Sequence, residues 1–193
     1  VYRLSVSGTI DVTGNEAAGG IAAVNGGAIV SCDFSGSVSG ASCVGGIVGQ
    51  NTKTGNVTDC RSKGAVTGEK MTGGVAGRND GKLARCVNAA CVNGTSADRN
   101  LSLQNLSLDF SFDLSKLSSM NTVGAAADTG GVAGYSCGVI LSCENTAAVG
   151  YPHVGYNVGG IVGRSCGFLF SSKNSGTVNG RKDVGGIAGQ AEP

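Results

Sequence analysis

Eight cysteines, one histidine and 13 acidic residues are the groups in this 193-residue chain that could ligate a metal, attack a substrate or move a proton. Their spacing speaks against each use. No two cysteines stand as C-x-x-C, and there is no H-E-x-x-H, so neither structural nor catalytic zinc is expected. The one histidine, His153, follows Tyr151-Pro152 without an acidic or nucleophilic neighbour and reads as a solvated turn residue. G-x-S-x-G and Walker A patterns are absent, which removes the usual signs of acyl and phosphoryl transfer. Glycoside cleavage needs two carboxylates about 5 to 9.5 Å apart. The acidic residues here are scattered, and Tyr135, Tyr151 and Tyr156 are the nearest approach to an aromatic platform for sugar. The expectation is a protein that is not an enzyme and carries no cofactor and no metal.

The elements that would position these residues come from a repeat. A Gly-Gly pair, an apolar residue, a small residue and usually a third Gly recur at Gly19, Gly45, Gly73, Gly130, Gly159 and Gly185. The separations are 26, 28, 57, 29 and 26 residues, and the value of 57 reads as two turns, one of which has lost its glycines. Further columns keep the same phase. They are Asn25, Asn51, Asn79, Ser136 and Ser165; Ile29, Val57, Leu83, Ile140 and Leu169; Cys32, Cys60, Cys86 and Cys143, with Ser172 as the exception; and Val38, Val66, Val92, Val149 and Val178. A glycine column at Gly27, Gly81, Gly138 and Gly167 includes Gly55 if two residues are inserted near Thr52.

A unit of this length is too short to bury its own apolar face, so units must stack, with equivalent residues about 4.8 Å apart. Val on Val and Cys on Cys suit that spacing, whereas like charges would not. The glycines mark corners, and the Asn/Ser column predicts a ladder in which side chains bond backbone groups of the neighbouring turn. The fold expected is all-β, a right-handed parallel β-helix (solenoid) of about six turns of 26–29 residues, forming one domain over 1–193. The chain opens and stops within the repeat pattern, as expected for a segment of a longer protein with adjacent repeats or domains.

The stacked geometry also bears on the cysteines. Side chains in one column point the same way, whereas a disulfide needs converging Cβ atoms roughly 3.8 Å apart. The four-cysteine column and the pair Cys137 and Cys166 are therefore expected to be reduced. Cys43 and Cys91 fit neither column and are the candidates for a bridge or an exposed thiol. A net charge of +1 gives no reason to expect nucleic acid, and no run of about 18 apolar residues predicts membrane insertion.

One stretch, 97–122, departs from the repeat and reads as a degenerate turn or an insertion. Within it Leu106, Leu108, Phe110 and Phe112 alternate with polar residues, a pattern that suits either the core or a binding ribbon. These four residues, with Tyr151, His153 and Tyr156, are the candidate binding residues.

The segment Val44-Gly45-Gly46-Ile47-Val48-Gly49-Gln50-Asn51, together with Gly81-Lys82-Leu83-Ala84-Arg85-Cys86-Val87-Asn88, resembles the GLUG repeat of large bacterial surface proteins. Such repeats occur in adhesins and beside immunoglobulin A-specific metallopeptidase domains. The resemblance implies an extracellular setting, secreted or on the bacterial cell surface. It also implies a non-catalytic role as adhesin segment or spacer, with a host protein or glycan as partner. The alternative is a carbohydrate-binding or carbohydrate-cleaving β-helix.

Overall fold

The structure is a computed structural model and describes residues 1–12, 14, 16–94 and 126–193. Among these residues there is no helix, and all strand ladders are parallel. The parallel β-solenoid expected from the repeat is the fold.

Each coil runs through three sheets in turn. The six-stranded sheet stacks β3 (Ala22–Asn25), β6 (Val48–Asn51), β9 (Ala76–Asn79), β13 (Ala133–Ser136), β17 (Val162–Ser165) and β21 (Ala188–Ala191). Next comes a five-stranded sheet of β4 (Ala28–Val30), β7 (Asn56–Thr58), β10 (Lys82–Ala84), β14 (Val139–Leu141) and β18 (Phe168–Phe170). The ten-stranded sheet is made of two stretches. The leading stretch holds β1 (Ser5–Asp11), β11 (Val87–Val92), β15 (Glu144–Asn145) and β19 (Lys173–Asn174). The trailing stretch holds β2 (Ala18–Gly19), β12 (Ala127–Gly130), β16 (Tyr156–Gly159) and β20 (Lys182–Gly185). Among the described residues, only β5 (Asp33–Gly45) and β8 (Arg61–Gly73) run unbroken through both stretches, crossing the junction between them near Gly40 and Gly68.

The columns expected from the repeat are pairing registers. Ile29, Val57, Leu83, Ile140 and Leu169 stack in order, as do Ile10, Val38, Val66, Val92, Val149 and Val178. Ile47, Val75, Val132 and Ile161 are fully buried at the turn after the four inner Gly-Gly pairs. A buried Ile to Ala change in such a column costs about 2–5 kcal/mol.

The glycines of the motif are there for close approach. A methyl on Gly46 would overlap the Gly74 carbonyl and the Ser62 side chain, and one on Gly49 would overlap Ala17 and Ala18. Two columns of residues with side chains take left-handed turns. Arg3, Ser31, Asp59, Arg85, Ser142 and Ser171 form one, and Cys43, Met71, Asp128, Asn157 and Asp183 the other, all with φ between 47° and 57°. Repeated once per coil, these turns are a fixed part of the corner geometry.

The 57-residue separation is corrected. β12 pairs directly with β8 (Thr129 with Thr72, Gly130 with Gly73), β13 with β9 and β14 with β10. Coils on either side of residues 95–125 therefore stack on each other, and no lost repeat lies between them. The extra length enters at the junction between the two stretches, after Gly94 and before Ala126. Lengthening a connection adds entropy cost that grows only slowly with length, whereas an extra coil between β8 and β12 would break their pairing.

One buried group is out of step. Thr72 lies in the column Ala18, Val44, Thr72, Thr129, Val158 and Val184, and its hydroxyl has no hydrogen-bond partner. Thr129 in the same column accepts a bond from Asn93 Nδ2 at 3.0 Å. Thr72→Val is expected to stabilise the protein by about 1 kcal/mol, read as a higher urea midpoint, because it removes an unpaired hydroxyl at nearly constant volume. A lower midpoint would show that the hydroxyl is satisfied in solution.

Candidate functional site

Three of the candidate binding residues, Tyr151, His153 and Tyr156, lie at the same junction one coil further on. Val149 pairs with Val92 on one side and Val178 on the other. The chain then leaves the ladder at Gly150 (φ 74°) and turns through Tyr151–Val154, where Val154 N–H donates to the Tyr151 carbonyl at 3.2 Å. It rejoins the ladder at Gly155 (φ 93°) and Tyr156. His153, with φ 62°, holds the left-handed position of this turn and is exposed, as is Tyr151 at 37%. Tyr156 sits in an exterior column between Ala127 and Lys182. The remaining four candidates, Leu106, Leu108, Phe110 and Phe112, lie outside the described residues.

The exit and return of the chain around 95–125 bracket this turn. Gly150 N–H donates to the Val92 carbonyl at 2.8 Å, and Tyr156 N–H to the Ala126 carbonyl at 2.8 Å. Asn93 pins the exit. Its side chain accepts from Gly68 N–H at 2.9 Å and donates to Thr129 on the return strand. Asp128 pins the return, accepting from Asn157 Nδ2 at 2.7 Å and from Arg164 at 3.1 Å. Regular coils make this crossing with Gly40-Ala41 or Gly68-Glu69, so both long departures from the repeat emerge from one edge of the rod.

The family comparison falls on the most regular part of the chain. Residues 40–67 match the family model of the GLUG motif. The chain carries a GLUG repeat. Gly40 pairs with Gly68, so the match spans one complete coil, from junction to junction. No curated protein and no solved structure matches the chain.

Two side-chain ladders run inside the coils. Asn25 Nδ2 donates to Asn51 Oδ1 at 2.8 Å, Asn51 to Asn79 at 2.8 Å, and Asn79 to Ser136 Oγ at 3.0 Å. The ladder falls on the expected Asn/Ser column, but these links run from side chain to side chain rather than to the backbone of the neighbouring turn. A second one was not anticipated: Ser62 donates to Asn88 at 2.7 Å, Asn88 to Asn145 at 2.7 Å, and Asn145 to Asn174 at 2.7 Å. Its sequence trace is an asparagine two residues after the cysteine position in Cys86-Val87-Asn88, Cys143-Glu144-Asn145 and Ser172-Lys173-Asn174. Phe34 and Ser62 take that place in the earlier coils, which hides the column.

The cysteines divide between the expected state and a correction. Cys32, Cys60, Cys86 and Cys143 are buried and free. Each thiol donates to the carbonyl two residues before it, at 3.2–3.5 Å, and Ser172 repeats the contact with Phe170 at 3.0 Å. Hydrogen bonding to the Cys143 and Cys60 thiols, together with burial, holds the Cys86 thiol well above its ordinary pKa, so it is protonated and unreactive at neutral pH.

Cys137 and Cys166, expected to be reduced, form a disulfide with Cα atoms 4.7 Å apart. They follow β13 and β17 at a corner and face outward, so no core packing holds their side chains parallel as it does for the buried Cys32 column, and they can converge. Cys43 and Cys91, proposed as bridge candidates, are both free, and Cys91 is exposed. In native protein, iodoacetamide is expected to label Cys91 first and Cys43 more slowly, with the four buried thiols reacting only on unfolding. Early labelling of Cys86, measured by peptide mass, would contradict this order.

Tyr135 stands apart from the other two tyrosines, on the exterior of the six-stranded sheet. Arg78 and Arg164 lie over its ring, their guanidinium carbons 5.4 and 4.8 Å from the centroid. Both arginines are held by carboxylates, Arg78 by Asp80 at 2.8 Å and Arg164 by Asp128 at 3.1 Å. With a guanidinium on either side, the ring has no free face for a sugar, and the stack braces three successive coils.

Proposed function

We propose that this GLUG solenoid is a non-catalytic module of a bacterial cell-surface or secreted protein, acting as an adhesin segment that also spaces its neighbours. The junction edge is its binding face. The observation that supports this reading is the convergence of the Tyr151–Val154 turn with the exit and return of the neighbouring coil. Insertions in stacked repeats gather on the face that meets a partner, because sequence there is released from packing. Tyr151 and His153 are exposed on a turn whose two ends are hydrogen-bonded into the ladder, so they are presented from a rigid base. The Cys137–Cys166 disulfide suits an oxidising compartment, in line with an extracellular location.

The partner class is a host protein or glycan. The test is binding of the immobilised domain to arrays of host extracellular proteins and glycans, with Tyr151→Ala/His153→Ala as one variant. Lys53→Ala, in the turn between the six- and five-stranded sheets, is the control. A bound partner lost with the first variant and kept with the second supports the reading. Equal binding by both variants, or cleavage of an arrayed glycan, would overturn it.

A further inference from the structure

We propose that the Cys137–Cys166 disulfide is a redox-sensitive staple: its reduction softens residues 126–193 selectively, including the junction turn that carries Tyr151 and His153, and leaves the coils before Gly94 intact. The part that concerns the turn rests on the binding reading above; the selective softening does not.

Three features of the structure lead here. The first is position. The bridge spans a sequence separation of 29 and closes a ring that contains one full coil, the Tyr151–Val154 turn among it. At this corner the other coils carry Gly26, Thr52, Asp80 and Glu192, so the bridge is peculiar to this pair of coils.

The second is uneven stacking. Solenoid stability is close to a sum of terms between neighbouring coils. Before Gly94 the ten-stranded sheet is built on β5 and β8, each 13 residues long. After Ala126 its leading stretch is reduced to β15 and β19, each two residues long. The later coils thus hold each other with fewer ladder bonds in this sheet, and the staple lies among them.

The third is the surroundings of the bridge. The Tyr135 hydroxyl is 2.9 Å from Cys137 Sγ and 3.3 Å from Cys166 Sγ. Its ring lies between Arg78, from the coil before the long connection, and Arg164, from the coil after. The bridge therefore fixes the tyrosine that ties the later coils to the earlier ones. Cys137 is exposed, so a reductant can reach it, unlike the buried thiol column. Exchange with a dithiol breaks the S–S bond and leaves two thiols. The two electrons and two protons come from the dithiol, which closes its own disulfide.

The experiment is hydrogen exchange followed by mass spectrometry on the whole chain, oxidised and after dithiothreitol, with Cys137→Ser/Cys166→Ser examined without reductant. Removing a bridge that closes a loop of this size is expected to speed opening roughly a hundredfold. Amides of β13, β14, β16 and β17 are therefore expected to exchange faster by about that factor in both the reduced protein and the variant, while β5, β6 and β9 change by less than about twofold. Equal protection in the two redox states, or uniform acceleration along the chain, would overturn the proposal. So would a native mass showing both thiols free. No ligand is needed for this readout, so its failure leaves the adhesion reading intact, and a failed adhesion test leaves the staple intact.

Discussion

Gly77→Ala is expected to destabilise the solenoid by about 3 kcal/mol, while Gly27→Ala leaves stability unchanged to within about 0.5 kcal/mol. Both are glycines of the repeat, and composition does not tell them apart. At Gly77 an added methyl would overlap the backbone of Cys43 and Val44, where the six-stranded sheet lies against the left-handed turn of the preceding coil. Neither partner can yield. Val44 is fully buried in its column, and Cys43 holds its φ of 51° as part of a turn repeated in every later coil. At Gly27 nothing lies within 4 Å of the methyl position, and its φ is outside the left-handed region. Urea unfolding followed by circular dichroism gives the comparison. Equal midpoints for the two variants would mean that the sheet-to-turn contact is looser than the structure shows.

Asn51→Asp is expected to be at least as damaging at neutral pH, and to recover in acid. Asn51 is fully buried, accepts from Asn25 and donates to Asn79 Oδ1 and to the Gly55 carbonyl at 3.2 Å. An aspartate puts a second oxygen where the donating nitrogen was, facing three acceptors (Asn79 Oδ1 and the Gly55 and Lys82 carbonyls), and buries a charge. Breaking such an arrangement costs about 3–5 kcal/mol. Burial and these acceptors raise the folded-state pKa of the new carboxyl above the unfolded value of about 3.9. Between the two values the folded state binds more protons than the unfolded state, so stability falls as pH rises through that window. Below about pH 4 the protonated carboxyl can donate to Asn79, and most of the loss returns. Asn51→Leu, which cannot titrate, is expected to be destabilised at both pH values. A pH-independent Asn51→Asp would show that water reaches the ladder.

Much of the fold could be read from the sequence because stacking turns one-dimensional spacing into contact. The Ile29, Cys32, Asn25 and Val38 columns needed only the rule that equivalent residues meet one strand spacing away. That rule brings equivalent residues together at corners as well as in strands, as the Cys32 column between β4 and β5 shows, but it fixes side-chain direction only where the core packs around them. Cys137 and Cys166 occupy equivalent positions on the outside of their corner, with no core to hold their side chains parallel, and they bond. The separation of 57 residues misled for a related reason. A whole number of coils and one coil with a long connection are equal in length, and only the pairing of Thr72 with Thr129 tells them apart. Of the candidate site, Tyr151 and His153 were suggested by their place in the longest corner. Their nearness to the exit at Asn93 and the return at Ala126 was not readable, since it depends on that same register.

Because β8 and β12 join as though their connection were short, the rod tolerates length at this edge without altering its cross-section. Foreign peptides grafted between Gly94 and Ala126 would then leave folding of the flanking coils untouched. Descendants of one such scaffold could trade recognition properties by changing that segment alone, while the buried columns stayed as they are.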